Sequence, residues 1–476
     1  MKTRILVPLL AVAALIGAPS AASAAPVPPS IPADLTTTDI AVPTRDGTIL
    51  SGTVVAPRTT SGPLPGLVLV SGSGTGKRSG LTPEAIAFAR QGIAVLSYDK
   101  RPLDQPVYST LADDVVSAVG VLRRQPGVRP DAVGLWGISE GGWVMPLAAS
   151  RSPEIAFLVL ASAPALSPVR VQNWNMRNKL AAAGVTGALA ETLSTRFYRL
   201  ADDAGLFAEA GYDTRPALAA VTQPVLAVYG SADTQVPATE SAAVLRATIR
   251  TPLTVRVLPG AGHTLRVLDE TGMYTNELYP GYPEMVGAYV RSVAAGTVPA
   301  PRVDPSPAQS ATSVALSPSA WWESWPAQLT VLAVLLTGFL AYPVIALIRR
   351  LRRGTVAAGW VRRRSAPVAV AVAVPVTVPA RVLAAVGAAA VTGFVAYFVL
   401  VADSADWKGI SPGPMLAGRP VFWLALQAAA LVVVITTAMT IHAWRTAAGD
   451  RLRLGFLITA GALFLPWSLY WGLLLP

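Results

Sequence analysis

Three residues that together can make a hydroxyl nucleophilic occur here in a workable order: Ser139, Asp233 and His263. Ser139 stands in Gly137-Ile138-Ser139-Glu140-Gly141, between a strand-like run at 133–136 and a helix-like run at 142–151. At such a junction G-x-S-x-G makes a turn so tight that the serine takes a strained backbone conformation. Its oxygen then projects above the strand ends, at the N-terminus of the next helix. The glycines on either side leave room for neighbouring backbone. A serine hydroxyl is a weak nucleophile at neutral pH. It needs a base within hydrogen-bond reach and an acid that orients the base.

The chain holds two histidines. His442 lies in a long apolar segment, where it snorkels or packs. His263 lies in Pro259-Gly260-Ala261-Gly262-His263-Thr264, a glycine-rich loop after the apolar run 253–258. A loop at a strand end suits a base that must move. The acid should follow its own strand, between serine and histidine. The run 225–229 reads as that strand, and Gly230-Ser231-Ala232-Asp233-Thr234-Gln235-Val236-Pro237 follows it. Taken singly, His263 could be a turn residue and Asp233 an N-cap for a helix at 238–249. The order of all three, each at a strand end, favours a triad. An oxyanion hole needs two backbone N–H groups. Glu140, after the nucleophile, supplies one. The loop 71–76 after the strand-like run 67–70 supplies the other, from Ser73 or alternatively Gly74. Gly74-Thr75-Gly76-Lys77-Arg78 is glycine-rich and basic but lacks the G-x-x-x-x-G-K-[ST] spacing of a phosphate loop. The Glu140 side chain reads as a rim or supporting group and not as the acid.

Four stretches carry a family resemblance: Leu69-Val70-Ser71-Gly72-Ser73-Gly74, Ser97-Tyr98-Asp99-Lys100-Arg101, Gly134-Leu135-Trp136-Gly137-Ile138-Ser139-Glu140-Gly141-Gly142-Trp143, and Gly230 to Pro237. Over roughly residues 35–297 the chain resembles secreted or membrane-linked α/β-hydrolases of the serine aminopeptidase and dienelactone-hydrolase branch. Relatives usually carry glycine after Tyr-Asp-Lys-Arg, where this chain has Pro102. Asp99, Lys100 and Arg101 read as structural. The resemblance implies hydrolysis of an ester, thioester or amide, without choosing among them. It also implies an α/β fold: a mostly parallel central sheet, helices on both faces, and a helical cap.

The pattern along 35–297 agrees. Residues 36–43 and 48–56 read as a hairpin across Asp46-Gly47. A helix is expected at 82–91, a strand at 93–98, a helix at 111–124 and a strand at 156–161. In the 111–124 helix, Val115, Val116, Val119 and Leu122 repeat at helical spacing. Asp113 and Asp114 then fall in its first turn, and Arg123 and Arg124 in its last, which suits the helix dipole. Residues of about 166–218 lose the alternation and read as the cap. Trp174, Met176, Phe197, Tyr198 and Phe207 either line the site or pack the cap onto the body.

A mean hydropathy of +0.49 is too apolar for an ordinary soluble protein. Lys2 and Arg4, an apolar core at 5–16 and Ala22-Ser23-Ala24 read as a signal peptide over 1–24; an uncleaved anchor is the alternative. A flexible leader (25–34) precedes the hydrolase domain (35–297), and a Pro/Ala/Ser linker (298–320) follows it. Residues 321–476 read as an all-α membrane domain with helices at 327–348, 382–401, 421–443 and 454–475, each long enough to span a bilayer. The apolar stretch 366–380, broken by Pro367, Pro375 and Pro379, is either interfacial or re-entrant, or leads into the second span.

Charge is unevenly placed. Of the net +11, +9 lies after residue 320. Arg349, Arg350, Arg352, Arg353, Arg362, Arg363, Arg364 and Arg381 lie between the first two spans, and Arg445, Arg451 and Arg453 between the last two. The positive-inside rule makes both loops cytoplasmic and puts the hydrolase outside, as a signal peptide also requires. Alternation with apolar spans makes anionic lipid, not nucleic acid, the partner of these arginines. With no cysteine and one candidate histidine, no cofactor or metal site is expected.

The expectation is therefore a multi-pass cell-membrane protein with an extracytoplasmic serine hydrolase acting on a small or lipophilic acyl substrate. An acyltransferase on the same triad is the enzyme alternative. A receptor using a hydrolase-like domain only to bind is the non-enzymatic one.

Overall fold

The computed structural model describes residues 29–74, 76–270, 273–309, 311–356, 377–405, 409–446 and 451–476. The expected signal peptide and most of the 366–380 stretch lie outside the described residues. The described residues form two compact units, one of residues 29–178 together with Gly205–Leu316, the other of Lys179–Ala204 and Ser317–Pro476.

Among its described residues the first unit has eleven strands: β1 (Leu35–Pro43), β2 (Ile49–Pro57), β3 (Leu64–Val70), β4 (Ala94–Tyr98), β5 (Val128–Ile138), β6 (Leu158–Ala161), β7 (Val225–Gly230), β8 (Leu253–Leu258), β9 (Arg266–Leu268), β10 (Tyr274–Leu278) and β11 (Arg302–Val303). Nine form one sheet in the order β1-β2-β4-β3-β5-β6-β7-β8-β11. Pairing is antiparallel at β1–β2 and β2–β4 and parallel from β4 onward. β9 and β10 form a small ribbon of their own. The opening hairpin turns at Gly47, whose φ of 85° lies in the left-handed region that glycine tolerates.

The parallel strands are buried on both faces, as their unbroken apolar runs require. Side chains alternate between two cores with the period of two that a pleated strand imposes. Val68, Val70, Leu135, Leu160, Ala227 and Tyr229 face one core. Leu67, Leu69, Trp136, Val159, Leu226 and Val228 face the other. The helices here are α1 (Thr82–Ala89), α2 (Tyr108–Arg123), α3 (Gly141–Arg151), α4 (Pro168–Ala182, of which residues through Asn178 belong here), α7 (Arg215–Ala219), α8 (Ala238–Thr248) and α9 (Tyr282–Ala294). α2, α3 and α8 cover the first face and α1 and α9 the second. This is the expected mostly parallel sheet with helices on both faces, an α/β-hydrolase fold.

α2 begins at Tyr108, three residues before the expected start. Its first N–H is satisfied by a residue far along the chain: Tyr108 N–H donates to Glu209 Oε1 at 3.0 Å. Asp113 and Asp114 are therefore not in the first turn. Asp114 is buried and accepts two hydrogen bonds from Arg101, at 2.6 and 2.9 Å, while the same guanidinium reaches Asp46. Removing one member of such a buried pair typically costs about 3–5 kcal/mol. This is the structural role expected of Arg101. Part of the stretch expected as a linker lies against this unit. β11 extends the sheet beside β8, and Asp304 accepts hydrogen bonds from Arg256 and from Val257 N–H.

The second unit holds α5 (Gly187–Glu191), α6 (Phe197–Asp203) and four long helices, α10 (Trp325–Val356), α11 (Thr377–Asp403), α12 (Val421–Thr446) and α13 (Arg451–Tyr470). These four are long and apolar enough to cross a membrane. They pack through small residues, as membrane helices do: a Cβ on Gly338 would strike Ala460, and one on Gly461 would strike Thr437. The last helix ends at Tyr470, five residues before the apolar run does. Gly472, at φ 81°, closes it with a Schellman cap, Leu473 N–H to Ser468 O at 2.8 Å and Gly472 N–H to Leu469 O at 3.1 Å.

Residues 179–204, the middle of the stretch expected as a cap, group with these apolar helices. Thr192 Oγ1 donates to Trp471 O at 2.8 Å, and Arg199 pairs with Glu323 at 2.6 Å. Phe197 packs on Phe398, ring centroids 5.3 Å apart. Phe197 is thus a packing residue of the helical unit. Trp174 and Met176 are buried in the sheet-containing unit, where Trp174 Nε1 donates to Ala311 O.

Candidate active site

β3, β5, β7 and β8 run parallel, so their C-terminal ends share one edge of the sheet. Each expected site residue follows one of these ends. Ser73 and Gly74 follow β3, Ser139 and Glu140 follow β5, Asp233 follows β7 and His263 follows β8. Only β6 separates β5 from β7, so the serine and aspartate strands are about 10 Å apart. Side chains from both sides can close that gap.

Ser139 has φ 54°, a left-handed conformation unusual for a residue with a side chain. The turn is forced by its surroundings. Ser139 N–H still donates to Ala161 O at 3.1 Å, while Gly142 N–H already turns back to Ser139 O at 2.7 Å. The motif glycines are a packing need: a Cβ on Gly137 would lie 2.7 Å from Met145 Sδ, and one on Gly141 3.0 Å from Val70 O. α3 starts at Gly141, so Glu140 N–H precedes its regular hydrogen-bonding ladder.

Asp233 and His263 are joined. His263 Nδ1 lies 2.9 Å from Asp233 Oδ2, and both residues are buried. The other carboxylate oxygen accepts Gln235 N–H at 2.7 Å and Val236 N–H at 3.0 Å. Asp233 therefore holds its own loop and is not the N-cap of α8, a position taken by Pro237. The β7 and β8 loops are pinned together: Gly260 N–H donates to Ser231 Oγ at 2.7 Å, and Ala232 N–H to Ala261 O at 3.0 Å. With Nδ1 turned to Asp233, the histidine keeps Nε2 for another partner. The Ser139 hydroxyl makes no hydrogen bond to His263 or to any other described residue.

Two residues near the site have placements that the sequence did not show. Tyr274, on β10, packs its hydroxyl against the Gly262 backbone. Burial, and then the Asp233 carboxylate, push its pKa up, so the hydroxyl stays protonated. Lys100, read as structural, pairs with Glu140 and donates to Gly72 O at 3.3 Å. Glu140 is buried, so its side chain is a supporting group and not a rim group. No sequence signal joined Lys100 to Glu140, because 40 residues separate them. Among the described residues no group of three His, Cys, Asp or Glu could hold a metal ion.

Known proteins resemble parts of this chain. The profile of the prolyl oligopeptidase family matches residues 109–278, which contain all three triad candidates. A stretch of 86 residues is 35% identical to the thiohydrolase aneE of Aspergillus aculeatus. That stretch is 16% of this chain, and it spans only 27% of the relative's length. Among solved structures, DcsB in complex with its substrate analogue is similar over 55% of this chain and 100% of its own, at 18% identity and a TM-score of 0.42. A Klebsiella pneumoniae protein described as a dienelactone hydrolase is similar over 54% of this chain and 98% of its own, at 13% identity and a TM-score of 0.38. The α/β-hydrolase fold described above matches the profile of the prolyl oligopeptidase family over its central part, and among the described residues four helices that follow it are long and apolar enough to span a membrane.

Proposed function

We propose that this protein is a membrane-anchored serine hydrolase working on the outer side of the membrane through an acyl-enzyme. The observation that carries the reading is the buried Asp233–His263 bond at the sheet edge where Ser139 is held at φ 54°. Ser139 Oγ attacks an acyl carbonyl while His263 Nε2 takes its proton. Asp233, on Nδ1, fixes the tautomer and stabilises the imidazolium. The N–H groups of Ser73 and Glu140, with Gly74 as the alternative, stabilise the developing oxyanion. The leaving group takes the proton from His263. Water, activated by the same histidine, then releases the acid. No cofactor enters these steps.

The substrate is a small or lipophilic ester, thioester or amide. Thioesters come first in any screen, because a stretch of the chain is shared with a thiohydrolase. The direct test is labelling of the detergent-purified protein with a fluorophosphonate and mapping of the adduct. Phosphonylation at Ser139 is the expected result. An unlabelled, folded protein would sink the reading.

The outward orientation rests on the arginines of the two loops expected inside, together with the N-terminal export pattern. A reporter active only outside the cytoplasm is expected to work when fused after Ala300 or after Pro476 and to fail after Gly354. Failure at Ala300 would move the catalytic unit to the cytoplasm. Failure at Pro476 alone would change only the number of spans.

A further inference from the structure

The two arms expected to supply oxyanion donors meet at one cation. The Lys100 ammonium donates to the Gly72 carbonyl and pairs with the Glu140 carboxylate. The Lys100 and Glu140 side chains are only 12% and 6% exposed, so water screens the pair little. Gly72 lies directly beside the elbow: a Cβ on it would sit 3.3 Å from Ser139 Cβ. In a trans peptide the C=O and the following N–H point in opposite directions. Holding the Gly72 carbonyl therefore fixes where Ser73 N–H points. The same ammonium holds the side chain of Glu140, whose backbone N–H is the second donor.

Lys100 is itself tied to the loop it holds. Its N–H donates to Gly76 O at 3.0 Å, and Gly76 packs against its Cβ. The preceding Asp99 accepts Arg78 N–H at 2.9 Å and the Arg78 guanidinium at 2.8 Å. The end of β4 thus fastens the loop after β3 at its start, middle and end. Charge balance for Glu140 alone would not require the Gly72 contact.

We propose that Lys100 is a positioning residue that sets the oxyanion hole, clamping the Gly72–Ser73 peptide and Glu140 from behind. This rests on the serine-hydrolase reading above. Preorganised donors matter most in the transition state, so loss of the clamp acts on turnover and not on substrate binding.

The test uses full-length protein in detergent, p-nitrophenyl butyrate as substrate, and a trifluoromethyl ketone that forms a tetrahedral oxyanion adduct on the serine. Lys100→Met is expected to lower kcat about 100-fold, with KM within about three-fold. Affinity for the trifluoromethyl ketone should fall by the same factor as kcat. General loosening of the fold would not make these two losses track each other at constant KM. If Lys100→Met does not fold, Glu140→Gln decides. It removes the counter-charge but leaves an oxygen for Lys100. A parallel loss of kcat and adduct affinity of about ten-fold is expected there. A folded variant with kcat within two-fold of wild type overturns the proposal. So does a kcat loss without a matching loss of adduct affinity. Wild-type protein that is not phosphonylated at Ser139 overturns the serine-hydrolase reading, and this proposal with it. Wild-type labelling matched in rate by Lys100→Met overturns this proposal alone.

Discussion

Replacing Ser139 by alanine is expected to abolish fluorophosphonate labelling and to lower kcat on activated esters by about five orders of magnitude or more. The size follows from the proposed role: without a nucleophilic hydroxyl no acyl-enzyme can form, and a serine hydrolase is left only with binding and oxyanion stabilisation. The fold should persist. A left-handed φ of 54° strains alanine no more than serine, and the hydroxyl makes no hydrogen bond to any described residue. Thermal unfolding followed by circular dichroism checks the fold, and burst kinetics check the chemistry. A folded Ser139→Ala protein that still labels and turns over would remove Ser139 from the mechanism.

Asp233→Asn is expected to lower kcat about 10⁴-fold. An amide in place of the carboxylate favours the wrong imidazole tautomer and leaves the imidazolium without its counter-charge. The loss should appear in kcat, because Asp233 touches His263 and its own loop. The carboxamide oxygen can still accept from Gln235 and Val236, so the loop is expected to hold. His263→Ala should cost about as much as loss of the serine. If the proposed triad holds, the double variant Ser139→Ala, His263→Ala should cost little more than either alone, because triad residues act as a unit. Additive losses in that double variant, or full turnover by Asp233→Asn, would break the triad assignment.

Much of this protein is legible in sequence, and for a local reason. A buried parallel strand must be apolar throughout, so 67–70, 225–229 and 253–258 stand out. Sharp turns must contain glycine, so the loops after those strands stand out too. A bilayer needs long apolar runs, which marked the four membrane-length helices found among the described residues to within a few residues. What failed was decided by partners remote in sequence. The early start of α2 depends on Glu209, about a hundred residues away. The ninth strand of the sheet, β11, is two residues long and exists only because β8 is there to pair with it.

The sequence by itself determined the tight turn at Ser139, the chain order of Ser139, Asp233 and His263, and the lengths of the apolar helices. All are properties of near neighbours along the chain, set by sterics, turn chemistry and hydropathy. Only the tertiary structure decided three further things: Asp233 bonds His263 instead of capping α8, Glu140 faces Lys100 rather than solvent, and residues 179–204 group with the apolar helices. Each depends on which distant group is at hand to satisfy a buried charge, a polar atom or an apolar face. A buried charge must find a partner, but the pattern of residues around it does not say which one.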